Sequence, residues 1–280
     1  MPGPKDLDPS TSPRALLGAE LRHARDQAGL TQDELGRPLF VSGSYIGQME
    51  AGTRRILREH AVRLDELLGT DSFFTRNCEV SNKSRYPDHF AEAAEAEATA
   101  TTIREYAPLL VPGLLQTEAY ARAVFRAYQP TATEDVIDEL VEARLDRARL
   151  LSHPTKPQLW VVLDEAVLRR KVGGAAVMAE ALEHVAVLAR RHRIIVQVLP
   201  FAAGAHASLN GALKLMSFTD APPLAYLEVL ATGQLQDDPA TVARYELSYD
   251  LVRASAHAPE SSLALIASVA EDYAHEDQQP

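Results

Sequence analysis

A single cysteine, Cys78, stands among 280 residues, so no internal disulfide can brace this chain and a disulfide-stapled scaffold is excluded. Long apolar runs are missing as well. The longest charge-free stretch, Ile194 to Leu213, is interrupted by Gln197, Pro200, Gly204, His206, Asn210 and Gly211, which would leave polar groups and a broken helix in lipid, so no membrane partner is expected. No basic-then-apolar leader opens the chain, and with the lone thiol this sets the expectation of an unsecreted, cytoplasmic protein. Positive charge is scarce: 28 Lys plus Arg against 39 Asp plus Glu give a formal net charge of −11. What is present, 46% hydrophobic and 24% charged residues, is ordinary for a chain that buries a core. The length suggests about two domains.

Signatures of catalysis are also lacking. There is no G-x-S-x-G elbow, no phosphate loop, no G-x-G-x-x-G, no H-E-x-x-H and no cysteine pair for zinc. His184 and His192 are eight residues apart, but Arg190, Arg191 and Arg193 surround the second and would repel a metal cation. His206 and Ser208, with Asp164 or Glu165, are the remaining residues from which a nucleophile system could be built. The expectation is a protein that is not an enzyme and needs neither cofactor nor metal.

Charge is divided unevenly. Residues 1–80 hold 10 Lys plus Arg and 12 Asp plus Glu, a balance of −2, which leaves −9 for the rest. An acidic C-terminal part is repelled by nucleic acid, so any DNA contact must come from a local basic surface near the N-terminus. Residues 1–13, with Pro2, Pro4, Pro9 and Pro13, read as a disordered tail. Residues 14–75 read as a helical domain, 76–87 as a polar linker and 88–280 as a second domain.

In the helical domain Leu17, Leu21, Ala24 and Ala28 form a stripe stopped by Gly29. Thr31 opens a second helix as N-cap, Glu34 completes a capping box, Leu35 points inward and Pro38 ends the helix early. Ser42 caps a third helix, with Ile46 and Met49 buried and Gly52 as its stop. Ala61, Leu64, Leu67 and Leu68 form a closing stripe. Two short helices joined by a tight turn place the second in a DNA major groove. Gln32 then sits where it can hold a phosphate, and Ser42, Gly43, Ser44, Gly47 and Gln48 face outward. Ser44 and Gln48 are four apart and reach base edges, Tyr45 reaches the backbone, and Arg54 and Arg55, with Arg58 behind them, clamp a phosphate.

The stretch from Leu21 to Arg55, LRHARDQAGLTQDELGRPLFVSGSYIGQMEAGTRR, resembles the lambda-repressor-like (XRE) helix-turn-helix family. The resemblance implies that Gln32 is the phosphate-binding glutamine, Ser42 to Gln48 the reading helix, and Glu50 a structural carboxylate. Two departures stand out. Gly36 replaces the customary alanine beside the interrupting Pro38, and Gly43 and Gly47 put no side chain at two outward positions, which predicts few direct base contacts.

Further on, an Ala/Glu-rich run predicts a solvated helix from Asp88 toward Tyr106. Helices are also expected over Thr117 to Tyr128, Glu134 to Leu151, within Glu165 to Arg193, and as two segments over Asp238 to Ala274 parted by Pro259. Leu159 to Leu163, Ile194 to Leu199, Leu213 to Phe218 and Leu224 to Val229 are strand candidates, the first two in a β-α-β unit and the others in a hairpin or meander. The fold class is therefore mainly α: a helix-turn-helix bundle of about five helices, then an α+β domain with helices around a small mixed sheet. The phrases YAPLLVPGLLQTEAYARA, VVLDEAVLRRKVGG, VQVLPFAAGAHASLNGALKL, AYLEV and YDLVRASAHAPESS resemble the C-terminal domain of the WhiJ-like actinobacterial regulators. That resemblance implies a transcriptional regulator or antitoxin-like protein with a small partner protein encoded nearby.

Within this domain Pro112, Gly113, Leu114, Leu115, Gln116 and Tyr120 surround a chain break, readable as a partner or ligand groove or as a rigid corner packing its leucines inward. His206 lies in a loop that either binds a ligand or is a surface turn. The expected whole is a sequence-specific regulator that binds double-stranded DNA as a homodimer, its C-terminal domain taking a partner or effector. The alternative is an antitoxin-like protein that mainly binds a small partner and uses DNA binding for autoregulation.

Overall fold

The computed structural model describes Pro9 and residues 13–81, 88–230 and 232–277. The expected disordered tail therefore lies almost wholly outside the described residues. Five helices follow: α1 (Pro13–Gln27), α2 (Gln32–Gly36), α3 (Gly43–Glu50), α4 (Arg58–Leu68) and α5 (Phe73–Ser81). Pro13 opens α1, where its missing N–H would have had no partner in any case. Leu17, Leu21, Leu35, Ile46, Met49, Ile56, Leu64, Phe74 and Cys78 interlock as one apolar core. Leu67, expected in the buried stripe, is 42% exposed, because residues 61, 64 and 68 share the inner face and 67 falls beside it.

Helix α5 runs into the stretch expected to be linker. Asp65 on α4 accepts the Phe74 and Thr75 backbone N–H groups at 3.0 and 2.8 Å, tying down the first turn of α5 from a distance. These bonds and those from Thr70 and Thr75 hold the Asp65 carboxyl below its ordinary pKa despite burial.

The Ala/Glu-rich run forms α6 (Asp88–Thr99), but it is not the solvated helix expected. Ala91, Ala93, Ala94 and Ala96 are buried, their small side chains allowing close packing. Nor does the helix reach Tyr106. It stops at Thr99, and β1 (Thr102–Ala107) begins. β1 pairs in parallel with β2 (Gln158–Asp164), from Thr102↔Gln158 to Ala107↔Leu163, and this ladder overrides local helix propensity.

The remaining elements are α7 (Glu118–Tyr128), α8 (Glu134–Ala148), α9 (Glu165–Arg169), α10 (Ala175–Arg190), β3 (Ile194–Leu199), β4 (Leu213–Ser217), β5 (Leu224–Val229), β6 (Thr232–Gln236), α11 (Pro239–Ser255) and α12 (Pro259–Asp277). β2 and β3 are parallel, with Leu159↔Ile194 in register, so the expected β-α-β unit is present. The four expected strands are there, and β1 and β6 are additions. The strand order is β3-β2-β1-β4-β5-β6.

The chain forms two compact units, and they do not part at residues 76–87. The first comprises residues 1–100, 216–226 and 231–243, and the second residues 101–215, 227–230 and 244–280. Helix α6, the first half of β5 and all of β6 thus fold with the helix-turn-helix bundle. In that unit α6 packs against β6, and Phe90 meets Tyr226 edge-on, centroids 5.7 Å apart. The second unit is held by α10 and α12 lying together and by α12 against β3. There Trp160 Nε1 donates to Gln197 Oε1 at 2.9 Å, and Gln197 Nε2 donates to the His257 carbonyl at 2.8 Å. Among the described residues no helix is long and apolar enough to cross a membrane.

Candidate nucleic-acid interface

The two helices of the motif are started by side chains. Thr31 Oγ1 accepts from the Glu34 backbone N–H at 3.2 Å and Glu34 Oε2 from that of Thr31 at 2.8 Å, a complete capping box. The Thr31 donors hold the Glu34 carboxyl below its ordinary pKa. Helix α2 yields to a 3-10 turn, Arg37–Leu39, at Pro38, and Phe40 takes a left-handed φ of 57°. Ser42 Oγ then accepts the Tyr45 N–H at 3.0 Å and starts α3.

Close backbone approach sets the angle between the helices. A Cβ at Gly36 would lie 2.6 Å from the Val41 carbonyl oxygen, and one at Gly18 2.6 Å from that of Met49. Gly36 is thus required where the family pattern has alanine. Gly43 faces Asp33 and Gly47 faces the Gln32 side chain, so these glycines admit α2 and are not empty positions facing outward.

Glu50, fully buried, is the centre of the motif. Arg25 and Gln32 donate to it, Gln32 Nε2 at 2.9 Å, and Arg22 Nε lies 3.7 Å away. The structural role that the resemblance implies for Glu50 is what the geometry shows. The same geometry engages part of the Gln32 amide inside the fold.

The reading side of α3 differs from expectation. Gln48, expected outward, is fully buried, and Tyr45 is 9% and Arg54 7% exposed. The Arg54 guanidinium stacks 3.7 Å over the Tyr45 ring and donates to Gln48 Oε1 at 3.3 Å. Tyr45 also meets His60 edge-on, and burial raises the Tyr45 pKa and lowers that of His60. Two acids unforeseen from sequence join the cluster. Asp237 Oδ2 accepts from Ser42 Oγ at 3.3 Å and pairs with Arg54 Nη1 at 3.2 Å. Glu92 pairs with Arg55 Nε at 3.1 Å and with Arg54 Nη2 at 3.7 Å. Ser44 Oγ, Gln48 Nε2 and Arg54 Nε are buried with no hydrogen-bond partner among the described residues.

In the second unit Pro112 and Gly113 make a corner that packs inward. Leu114, Leu115 and Tyr120 are buried, Gln116 Nε2 donates to the Val111 carbonyl at 2.7 Å, and Tyr120 OH accepts the Val111 N–H at 3.1 Å. Burial of these side chains matches the corner that packs its leucines inward. His206 Nε2 lies 3.4 Å from Tyr106 OH, which donates to Asp164 Oδ2 at 3.0 Å. Asp164 and His206 are therefore bridged by a tyrosine that the sequence reading did not single out. Ser208 is buried, and Glu165 Oε2 accepts the Phe201 N–H at 3.1 Å.

Residues 16–72 match a family described as helix-turn-helix domain, and residues 90–268 match the family described as domain of unknown function (DUF5753). The chain belongs to the DUF5753 family. This DUF5753 chain carries its helix-turn-helix DNA-binding domain on α1 to α4, and both acids at the reading helix come from the DUF5753 region. No curated protein and no solved structure matches the chain.

Proposed function

We propose that this protein is a cytoplasmic, non-enzymatic transcriptional regulator that reads specific DNA sequences as a homodimer. The observation that carries the reading is the α2–α3 pair, started by Thr31 and Ser42 and pinned by Glu50, with Arg54 and Arg55 directly after the reading helix. Its sequence also resembles the XRE family. One short recognition helix spans few base pairs, and two of them about 34 Å apart multiply specificity. The DUF5753 region receives an effector or a small partner protein, in line with its resemblance to the WhiJ-like regulators.

Genome-wide chromatin immunoprecipitation of the tagged full chain tests this. Discrete peaks sharing a motif of two half-sites, lost in Ser44→Ala/Gln48→Ala, are expected. A featureless profile from a folded, expressed protein would overturn the reading. Co-purification of a small protein in place of DNA would favour the antitoxin-like alternative.

A further inference from the structure

The DNA-reading face is closed from within its own compact unit. Asp237, in the segment after β6, and Glu92, on α6, touch three residues expected to meet DNA: Ser42 at the start of the reading helix, and Arg54 and Arg55, expected to clamp a phosphate. Neither acid takes part in the apolar core or the Glu50 cluster that holds the helix-turn-helix together. Their carboxylate oxygens engage a hydroxyl and two guanidinium groups, the donor types that usually hold phosphate oxygens in protein–DNA complexes. Side-chain exposures of 18% for Glu92 and 17% for Asp237 show pairs largely shielded from water, which screens them less than a surface contact.

A second, independent observation concerns the base-reading groups. Ser44 Oγ and Gln48 Nε2 are buried without partners among the described residues. Buried polar groups are normally satisfied, and a base edge would supply what these two lack. The arrangement leaves the reading groups unsatisfied while the phosphate-binding groups are occupied by carboxylates.

We propose that Glu92 and Asp237 form an autoinhibitory acidic latch, which competes with DNA phosphates for Ser42, Arg54 and Arg55 and must open before α3 enters the major groove. The inference rests on the DNA-binding reading above. It gives the DUF5753 region direct control of the helix-turn-helix, since whatever shifts α6 or the segment after β6 changes the fraction of open molecules.

The test uses the full chain in three forms: wild type, Glu92→Gln/Asp237→Asn, and a control, Glu59→Gln/Glu66→Gln, which removes the same charge from exposed positions on α4. The probe is a duplex selected from a random pool by the latch variant. A latch that leaves about one molecule in ten open weakens apparent affinity about tenfold. The latch variant is therefore expected to bind about tenfold tighter than wild type, with a lower melting temperature, while the control stays within about twofold. Opposite movement of affinity and stability is the signature, because a purely structural contact would lower both. Should the double variant fold poorly, Asp237→Asn alone keeps the Arg55–Glu92 pair and is expected to show part of the gain. Equal or weaker binding by the folded latch variants, or an equal gain in the control, overturns the latch. If no duplex is enriched and none binds any of the proteins, the DNA-binding reading itself falls, and the latch with it.

Discussion

Arg25 on α1 and Glu50 at the end of α3, 25 residues apart in sequence, are joined through both carboxylate oxygens: Arg25 Nε donates to Oε1 at 2.5 Å and Nη2 to Oε2 at 3.3 Å. The carboxylate also raises the Arg25 pKa. With Gln32 on the same carboxylate, one buried charge fixes three helices.

Glu50→Ala is therefore expected to destabilise the protein by about 3 kcal/mol, since removing one member of a buried pair leaves the others uncompensated. Urea unfolding measures it. A loss below about 0.5 kcal/mol would mean that Glu50 is dispensable for the fold.

Gly36→Ala pits two effects against each other. Alanine gains up to about 1 kcal/mol of helix propensity over glycine. Its Cβ, however, would stand 2.6 Å from the Val41 carbonyl oxygen, a backbone atom that cannot swing away. Overpacking of this kind costs about 1 to 3 kcal/mol, so net destabilisation is expected although alanine is customary in the family pattern. A raised melting temperature would contradict the close approach.

Gln48→Ala is expected to cost about 1 to 3 kcal/mol on the preferred DNA site and to relax one base position. Binding to a panel of single-base operator variants reads it out. Uniform weakening across all sequences would remove Gln48 from base reading.

Alkaline pH should weaken the fold. Burial, reinforced by Asp164, raises the Tyr106 pKa, and burial raises that of Tyr249. In the unfolded chain both ionise near 10, so above that pH the unfolded state binds fewer protons than the folded one. Stability is fully present below about pH 10 and falls as pH rises, by up to about 1.4 kcal/mol per pH unit for each tyrosine. Urea titrations between pH 8 and 11 should show the decline, with a shallower slope in Tyr106→Phe and Tyr249→Phe. A flat profile in wild type would count against these shifts.

Gln197→Ala should destabilise the second unit by about 1 to 3 kcal/mol, because the Trp160 indole N–H and the His257 carbonyl lose their shared partner. Trp160 is the sole tryptophan, so its fluorescence follows this unit during unfolding. An unchanged midpoint would show that other groups replace the amide.

Local chemistry was legible in the sequence. Thr31, Glu34, Ser42, Gly29 and Pro38 set helix boundaries by capping and chain geometry within a few residues, and Leu35, Ile46 and Met49 declared their burial by spacing. The four apolar strands could be read for the same reason, as each carries its own hydrophobic signal. β1 and β6 could not, since TIREYA and TGQLQ become strands by pairing with distant partners rather than through their own composition. The interface divides in the same way. The sequence alone determined the capped helix pair and the residue types for reading DNA, because these depend on neighbours three or four positions away. Only the tertiary structure decided that Gln48 is buried and that Arg54 and Arg55 face Glu92 and Asp237. Asp237 lies 195 residues from Ser42, and electrostatic contacts over such separations depend on how the chain returns, which no local pattern encodes.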